Sequence, residues 1–262
     1  MSLSFQERYQ AGDSLLHRLD PRVKLVAALL LIVGVVLTPE RAWPAYPLLW
    51  ALIGALATIS GIGAVRLARL GSVAWPFALT AVTLLFTVPG KPLVTVLGMT
   101  ISDAGLARFV AIWLKSWLAV QVALLLSTTT HFTDLLWAMR SLRAPGTLVA
   151  IVGFMYRYLF TLKDEAERLL RARASRSGGI TGRKSGGSLL WRGRVAGGMV
   201  GNLFLRSYER SERVYAAMCA RGYAGQLRVL DAPKLTRQAV ALGIVPLLGL
   251  MIIEILAFLW WK

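Results

Sequence analysis

The sequence predicts an all-α integral membrane protein with about five transmembrane helices and two long cytoplasmic helices. Three observations carry that expectation. The mean hydropathy is +0.60, with 56% hydrophobic and only 16% charged residues over 262 positions, too apolar for a soluble domain of this length. Five runs are apolar enough to cross a bilayer, a task that takes about 20 helical residues. More than half of the 30 Lys and Arg residues fall between Lys163 and Arg237, as a cytoplasmic segment would place them.

In chain order, residues 1–22 form a basic N-terminal segment without the apolar core and small-residue cleavage site of a secretory signal, so the first apolar run is expected to be retained. The spans are read as Val23–Leu37, Trp43–Ile62, Gly71–Val88, Phe109–Thr129 and Ala239–Trp261, four of them within a bundle over 23–130 and the last within 238–262. Arg8, Arg18, Arg22 and Lys24 before or at the first span, and Arg66 and Arg69 after the second, place the N-terminus inside.

Residues 131–237 read as the cytoplasmic region. Thr133-Asp134 is read as the cap of an amphipathic helix, LLWAMRSL, that ends before Pro145. The apolar stretch Pro145–Phe160 contains Arg157, and a crossing there would export the basic segment, so it is read as packed into the bundle or lying at the interface. A helix, FTLKDEAERLLRARASRS, follows to about Ser177. SGGITGRKSGGS breaks it, and a second long helix runs to Arg221. With five spans the C-terminus lies outside, and Trp260, Trp261 and Lys262 read as an interfacial anchor.

The second basic helix contains the most informative stretch, RSYERSERVYAAMCARGYAG. At 100° per residue Arg206, Arg210, Arg213 and Arg221 share one third of the circumference with Ala217 and Ala220, opposite Val200, Phe204, Tyr208, Tyr215 and Met218. Alanine leaves room for close approach and guanidinium finds carboxylate, which suits protein docking. The same stripe also suits lipid headgroups, and Arg206, Arg210 and Arg213 also have Glu209 and Glu212 within reach. Gly222 is placed to end the helix in the left-handed conformation.

Several chemistries lack their parts. The net charge of +17 comes with no recognisable nucleic-acid-reading module, so it is assigned to cytoplasmic loops and to anionic lipid, not to nucleic acid. One cysteine, Cys219, and two distant histidines, His17 and His131, leave no credible metal site. The nearest approach to an ATP-binding loop, GITGRKSGG, has Arg183 between Gly182 and Lys184. No G-x-S-x-G elbow or HExxH is present, so no catalytic residue is assigned. Two charges lie in the spans, Lys115 and Glu254. They are read either as a buried pair joining the fourth and last spans, or separately, Lys115 reaching an interface and Glu254 meeting a polar partner near one.

SLLHRLDPRVKL at Ser14–Leu25 together with RSYERSERVYAAMCARGYAG resembles the transmembrane T component (EcfT family) of energy-coupling factor transporters, and among them the cobalt-transport subunit CbiQ. The likeness covers nearly the whole chain. The family's Ala-Arg-Gly signature is present as Ala220-Arg221-Gly222; its first copy is matched by Ser175-Arg176-Ser177, with Ala172-Arg173-Ala174 as a competing register. The resemblance implies a non-catalytic scaffold of an ATP-driven importer in the cell (inner) membrane. Two ABC-type ATPase subunits would hydrolyse ATP-Mg and receive these coupling helices in surface grooves, and a separate membrane subunit would capture the substrate, cobalt by likeness, with nickel or a vitamin as alternatives. A lipid-modifying intramembrane enzyme would need carboxylate clusters at the span ends, and only scattered acids such as Asp134, Asp164 and Glu165 occur. A gradient-driven transporter would show inverted repeats, and none is detected.

Overall fold

A computed structural model describes residues 9–10, 12–96, 99–176, 188–223, 225 and 235–260. They form two compact units, one from residues 6–138 and 231–262 and one from residues 139–230.

The first unit begins with a short helix, α1 (Leu15–Arg18), whose N-cap is Ser14. The next helix, α2 (Pro21–Leu37), starts where the sequence LDPR dictates: Asp20 accepts the Arg22 N–H at 2.9 Å and Pro21 takes the first helical position, where no N–H is needed. Helix α3 (Ala45–Ile59) ends at Ser60, followed by Gly61 and Gly63, both at φ +80°. The third apolar run departs from the single expected helix over Gly71–Val88. It starts earlier, as α4 (Ala64–Leu70), tightens into a 3₁₀ turn at Gly71–Ala74, and continues as α5 (Trp75–Ala81) and α6 (Leu84–Thr87). Pro76 explains the break, since it withholds the N–H that the turn before it would bond.

An antiparallel hairpin follows, β1 (Pro92–Val96) and β2 (Met99–Ser102), with Val94 opposite Ile101 and Val96 opposite Met99. The all-α expectation omitted it; LVTV and MTIS are rich in β-branched residues, and this short-range preference prevails between the spans. The fourth run is longer than expected. Helix α7 (Asp103–Thr129) begins six residues before Phe109 because Ser102 Oγ caps it, accepting the Gly105 N–H at 3.0 Å. Helix α8 (Phe132–Ser141) starts from His131, whose carbonyl accepts the Asp134 and Leu135 N–H groups, so Thr133 and Asp134 lie inside its first turn instead of capping it. The last helix, α11 (Arg237–Trp260), contains Pro246; Trp261 and Lys262 lie outside the described residues.

Leu31 and Val35 of α2, Leu49 and Ile53 of α3, Leu118 and Val122 of α7, and Leu250 and Ile253 of α11 belong to one buried cluster. Glycine lets α2 and α11 approach: a Cβ on Gly34 would stand 2.5 Å from Leu250, and one on Gly243 would collide with Val23. Gly243→Val is therefore expected to cost about 1–3 kcal/mol by overpacking, read as a lower melting temperature in detergent; an unchanged Tm would refute this contact. Three described helical stretches are long and apolar enough to cross a membrane, 64–87, 103–129 and 237–259, while α3 is a shorter apolar helix. At 17 residues, α2 spans roughly 25 Å.

The ends of these helices fix a relation that hydropathy alone could not. Lys24, near the start of α2, donates through Nζ to the Thr129 carbonyl at the end of α7 (3.0 Å), and Val23 abuts Gly243 near the start of α11. Residue 129 and residue 243 thus lie at the same end of the bundle.

The second unit contains α9 (Gly146–Arg176) and α10 (Leu189–Ala220). The stretch Pro145–Phe160 and the helix expected after it are one 31-residue helix, because nothing from Phe154 to Arg176 breaks it. The glycine-serine linker after it, from Ser177 to Gly187, lies outside the described residues.

Candidate functional site

Helix α10 is 32 residues long and buries none of them. Its apolar side, with Val200, Phe204, Tyr208 and Tyr215 each more than half exposed, is as open as its arginine side. Among the described residues, neither face of this helix is covered.

Its C-terminus is built for a sharp stop. The Gly222 N–H donates to the Cys219 carbonyl (2.9 Å) and the Tyr223 N–H to the Met218 carbonyl (3.0 Å), while Gly222 sits at φ +81°. These are the two bonds of the Schellman motif. They leave Arg221 as the cap residue, exposed, directly after Ala220. One turn back, a hydrogen bond with Cys219 holds the Tyr215 phenol above its ordinary value.

The arginine stripe divides. Arg206 and Arg210 both reach Glu165 on α9, at 3.4 and 3.1 Å, and Glu165 is 7% exposed. Arg213 pairs with Glu209 one turn away at 3.8 Å, where both side chains are solvated and worth little. Glu212 forms no ion pair with a described residue. Arg206 and Arg210 thus join α9 to α10, and Arg221 alone of the four forms no ion pair with a described residue. Glu165 was the partner that sequence reasoning missed, since within the chain it weighed Glu209 and Glu212 on the same helix and otherwise lipid or another protein. The signal was Asp164-Glu165, an acidic pair set among basic residues.

At the end of α9, Arg176 is the last helical residue and stands exposed, whereas Arg173 is partly covered. Ser175 Oγ donates back to the Ala172 carbonyl at 2.9 Å. Ser177 lies outside the described residues.

Lys115 and Glu254 both serve the far end of α2. Lys115 Nζ donates to the Val36 carbonyl at 2.9 Å, and Glu254 Oε1 accepts from Thr38 Oγ1 at 2.6 Å. Each meets its own hydrogen-bond partner at that end. Lys115→Met should therefore leave a helix-end carbonyl unpaired, for about 1 kcal/mol, while Glu254→Gln keeps the acceptor and should change Tm little. Equal losses from both would favour a direct pair.

The SLLHRLDPRVKL motif is a clasp. His17 Nε2–H donates to the Gln10 carbonyl at 2.9 Å, its Nδ1 accepts from Ser14 Oγ at 2.6 Å, and Lys24 Nζ binds the His17 carbonyl at 3.1 Å. The Arg22 guanidinium lies 4.0 Å from the Trp137 ring centre. Among the described residues no three His, Cys, Asp or Glu side chains are grouped to hold a metal ion.

The model of the CbiQ family, described as cobalt transport protein, matches residues 12–231. Three relatives are named energy-coupling factor transporter transmembrane protein EcfT. That of Bacillus selenitireducens is 30% identical over 83% of this chain and 83% of its own length. That of Listeria innocua is 29% identical over 83% and 84%, and that of Brevibacillus brevis is 26% identical over 97% of both. A match over most of the length, on a helical membrane fold with two exposed basic helices, makes this chain a member of the CbiQ family and the transmembrane component of an energy-coupling factor transporter.

Proposed function

We propose that this chain is the non-catalytic scaffold of an ATP-driven importer, with α9 and α10 as its coupling helices. The observation that carries the reading is the state of Arg221: a Schellman stop presents it at the tip of a helix that has no buried residue, while its neighbours Arg206 and Arg210 are taken up by Glu165. A free guanidinium at a rigid tip suits a carboxylate-lined groove on a partner. Arg176 offers the same group at the tip of α9. Two ABC-type ATPases binding ATP-Mg would receive these tips, and their closure would be passed to a separate membrane subunit that captures the substrate. On this reading the chain itself binds no cofactor, and ATP-Mg is used by the partners.

Cobalt is the substrate we favour, because the matching family is described by it; the choice would be made in the capture subunit, and nickel or a vitamin remains the alternative. We place the protein in the cell (inner) membrane, with the N-terminus and both basic helices in the cytoplasm, anionic lipid against their arginines, and the C-terminus outside. The shared end of residues 129 and 243 supports this placement. A single outward crossing by α9 would need a return through α10, whose arginines forbid it.

Affinity purification of the tagged chain in mild detergent tests the proposal. Two ATPases and a small membrane protein should co-purify, and the complex should hydrolyse ATP. Isolation of the chain alone under conditions that keep complexes intact, or transport by the chain without an ATPase, would overturn it.

A further inference from the structure

The bundle contains a cavity that none of the coupling chemistry uses. It lies at the end where α2 and α11 begin and α3 and α7 finish. Ala28 and Leu31 of α2, Leu56 of α3, Leu125 of α7 and Pro246 of α11 are among its walls, and Lys24 is its one ionisable residue. It reaches the outer surface of the bundle where Ile59, Leu242 and Val245 stand about half exposed. In a membrane that surface faces acyl chains, so the cavity is open to lipid.

Lys24 gives the cavity a polar terminus. The residue is 7% exposed, and its ammonium donates to the His17 and Thr129 carbonyls at 3.1 and 3.0 Å. An ammonium carries three N–H groups. The third has no acceptor among the described residues, which leaves it available to a ligand in the cavity that Lys24 lines. Apart from this one ammonium, the residues that line the cavity are almost all apolar. An apolar cavity with a single free donor at one end fits an apolar tail that ends in a hydrogen-bond acceptor.

We infer that this cavity binds one acyl chain of a membrane glycerolipid, whose ester carbonyl accepts the third N–H of Lys24. Recognition is then through the chain and the ester, and it does not depend on headgroup charge. This distinguishes the site from the basic helices, which would attract anionic lipid from a distance.

The test is native mass spectrometry of the full chain, delipidated in detergent and then equilibrated with an equimolar mixture of dioleoyl phosphatidylglycerol and dioleoyl phosphatidylethanolamine. One tightly retained lipid per chain is expected, with the two headgroups within about twofold of each other. Ile59→Trp narrows the mouth at a half-exposed position that does not threaten folding, and should reduce retention at least about tenfold. Lys24→Met keeps the apolar volume and removes the donor, and should lower retention by about tenfold, the value of one hydrogen bond from a charged group. Wild-type retention in Ile59→Trp overturns the site, whether or not Lys24→Met folds. A tenfold preference for phosphatidylglycerol overturns the ester-based recognition, and oleic acid retained in place of either glycerolipid, when added to the mixture, overturns the ligand class.

Discussion

Arg221→Glu is expected to reach the membrane at the wild-type level and to bind the ATPase subunits roughly 30-fold or more weakly. The loss has a definite origin. The wild-type guanidinium would sit against carboxylates of the groove, and reversing its charge leaves those acids desolvated and facing a like charge, worth on the order of 2–5 kcal/mol. The helix itself should not suffer, because the Schellman bonds run between backbone groups and Gly222 supplies the left-handed turn. Circular dichroism should therefore be unchanged while co-purification falls. Arg176→Glu should behave alike on α9, and Arg173→Glu should not, since Arg176 is the exposed one of the two. Unimpaired association of both Arg221→Glu and Arg176→Glu would sink the docking assignment. A loss on Arg173→Glu alone would move the first tip to the other register.

Glu165→Gln should free α10 from α9. One nearly buried carboxylate holds two guanidiniums, and of these Arg210 is one-third exposed while Arg206 is 59% exposed. Exposure discounts the second pair heavily. The first is a charge-assisted bond at 3.1 Å to a buried acceptor, so the two together should be worth about 2–3 kcal/mol, or roughly 30- to 150-fold in the population with the helices apart. Hydrogen exchange across residues 200–212 should quicken accordingly. A double-mutant cycle with Arg210→Met should show most of the coupling, and the cycle with Arg206→Met little. Equal coupling in the two cycles would mean that exposure does not govern this site, and none in either would remove Glu165 as the link.

Much of this was readable from residue type and spacing. Four of the five apolar runs correspond to α2, α3, α7 and α11, because hydrophobic burial and span length are summed over many residues and tolerate local error. Gly222 was legible as a stop since only its position beyond Arg221 permits the Schellman turn at so little cost. What escaped was local competition and long-range pairing. Pro76 and the 3₁₀ turn divide the third run, and the β-branched residues after Pro92 make a hairpin, where a hydropathy window sees only a loop. The arginine stripe was visible, but its distribution among partners was not. Glu165 lies 41 residues from Arg206, and periodicity on one helix carries no information about which other helix comes alongside. The two intramembrane charges were open for the same reason: their partners, Val36 and Thr38, are at the end of α2, far from either in sequence.

The anchoring of Thr129 and Gly243 on the adjacent residues Lys24 and Val23 has a mechanical meaning. The long excursion between α7 and α11 has both its feet on one fulcrum, the first turn of α2. On the proposed coupling, a pull on that excursion would load this one turn first, where Asp20 caps the helix and Pro21 takes its first position.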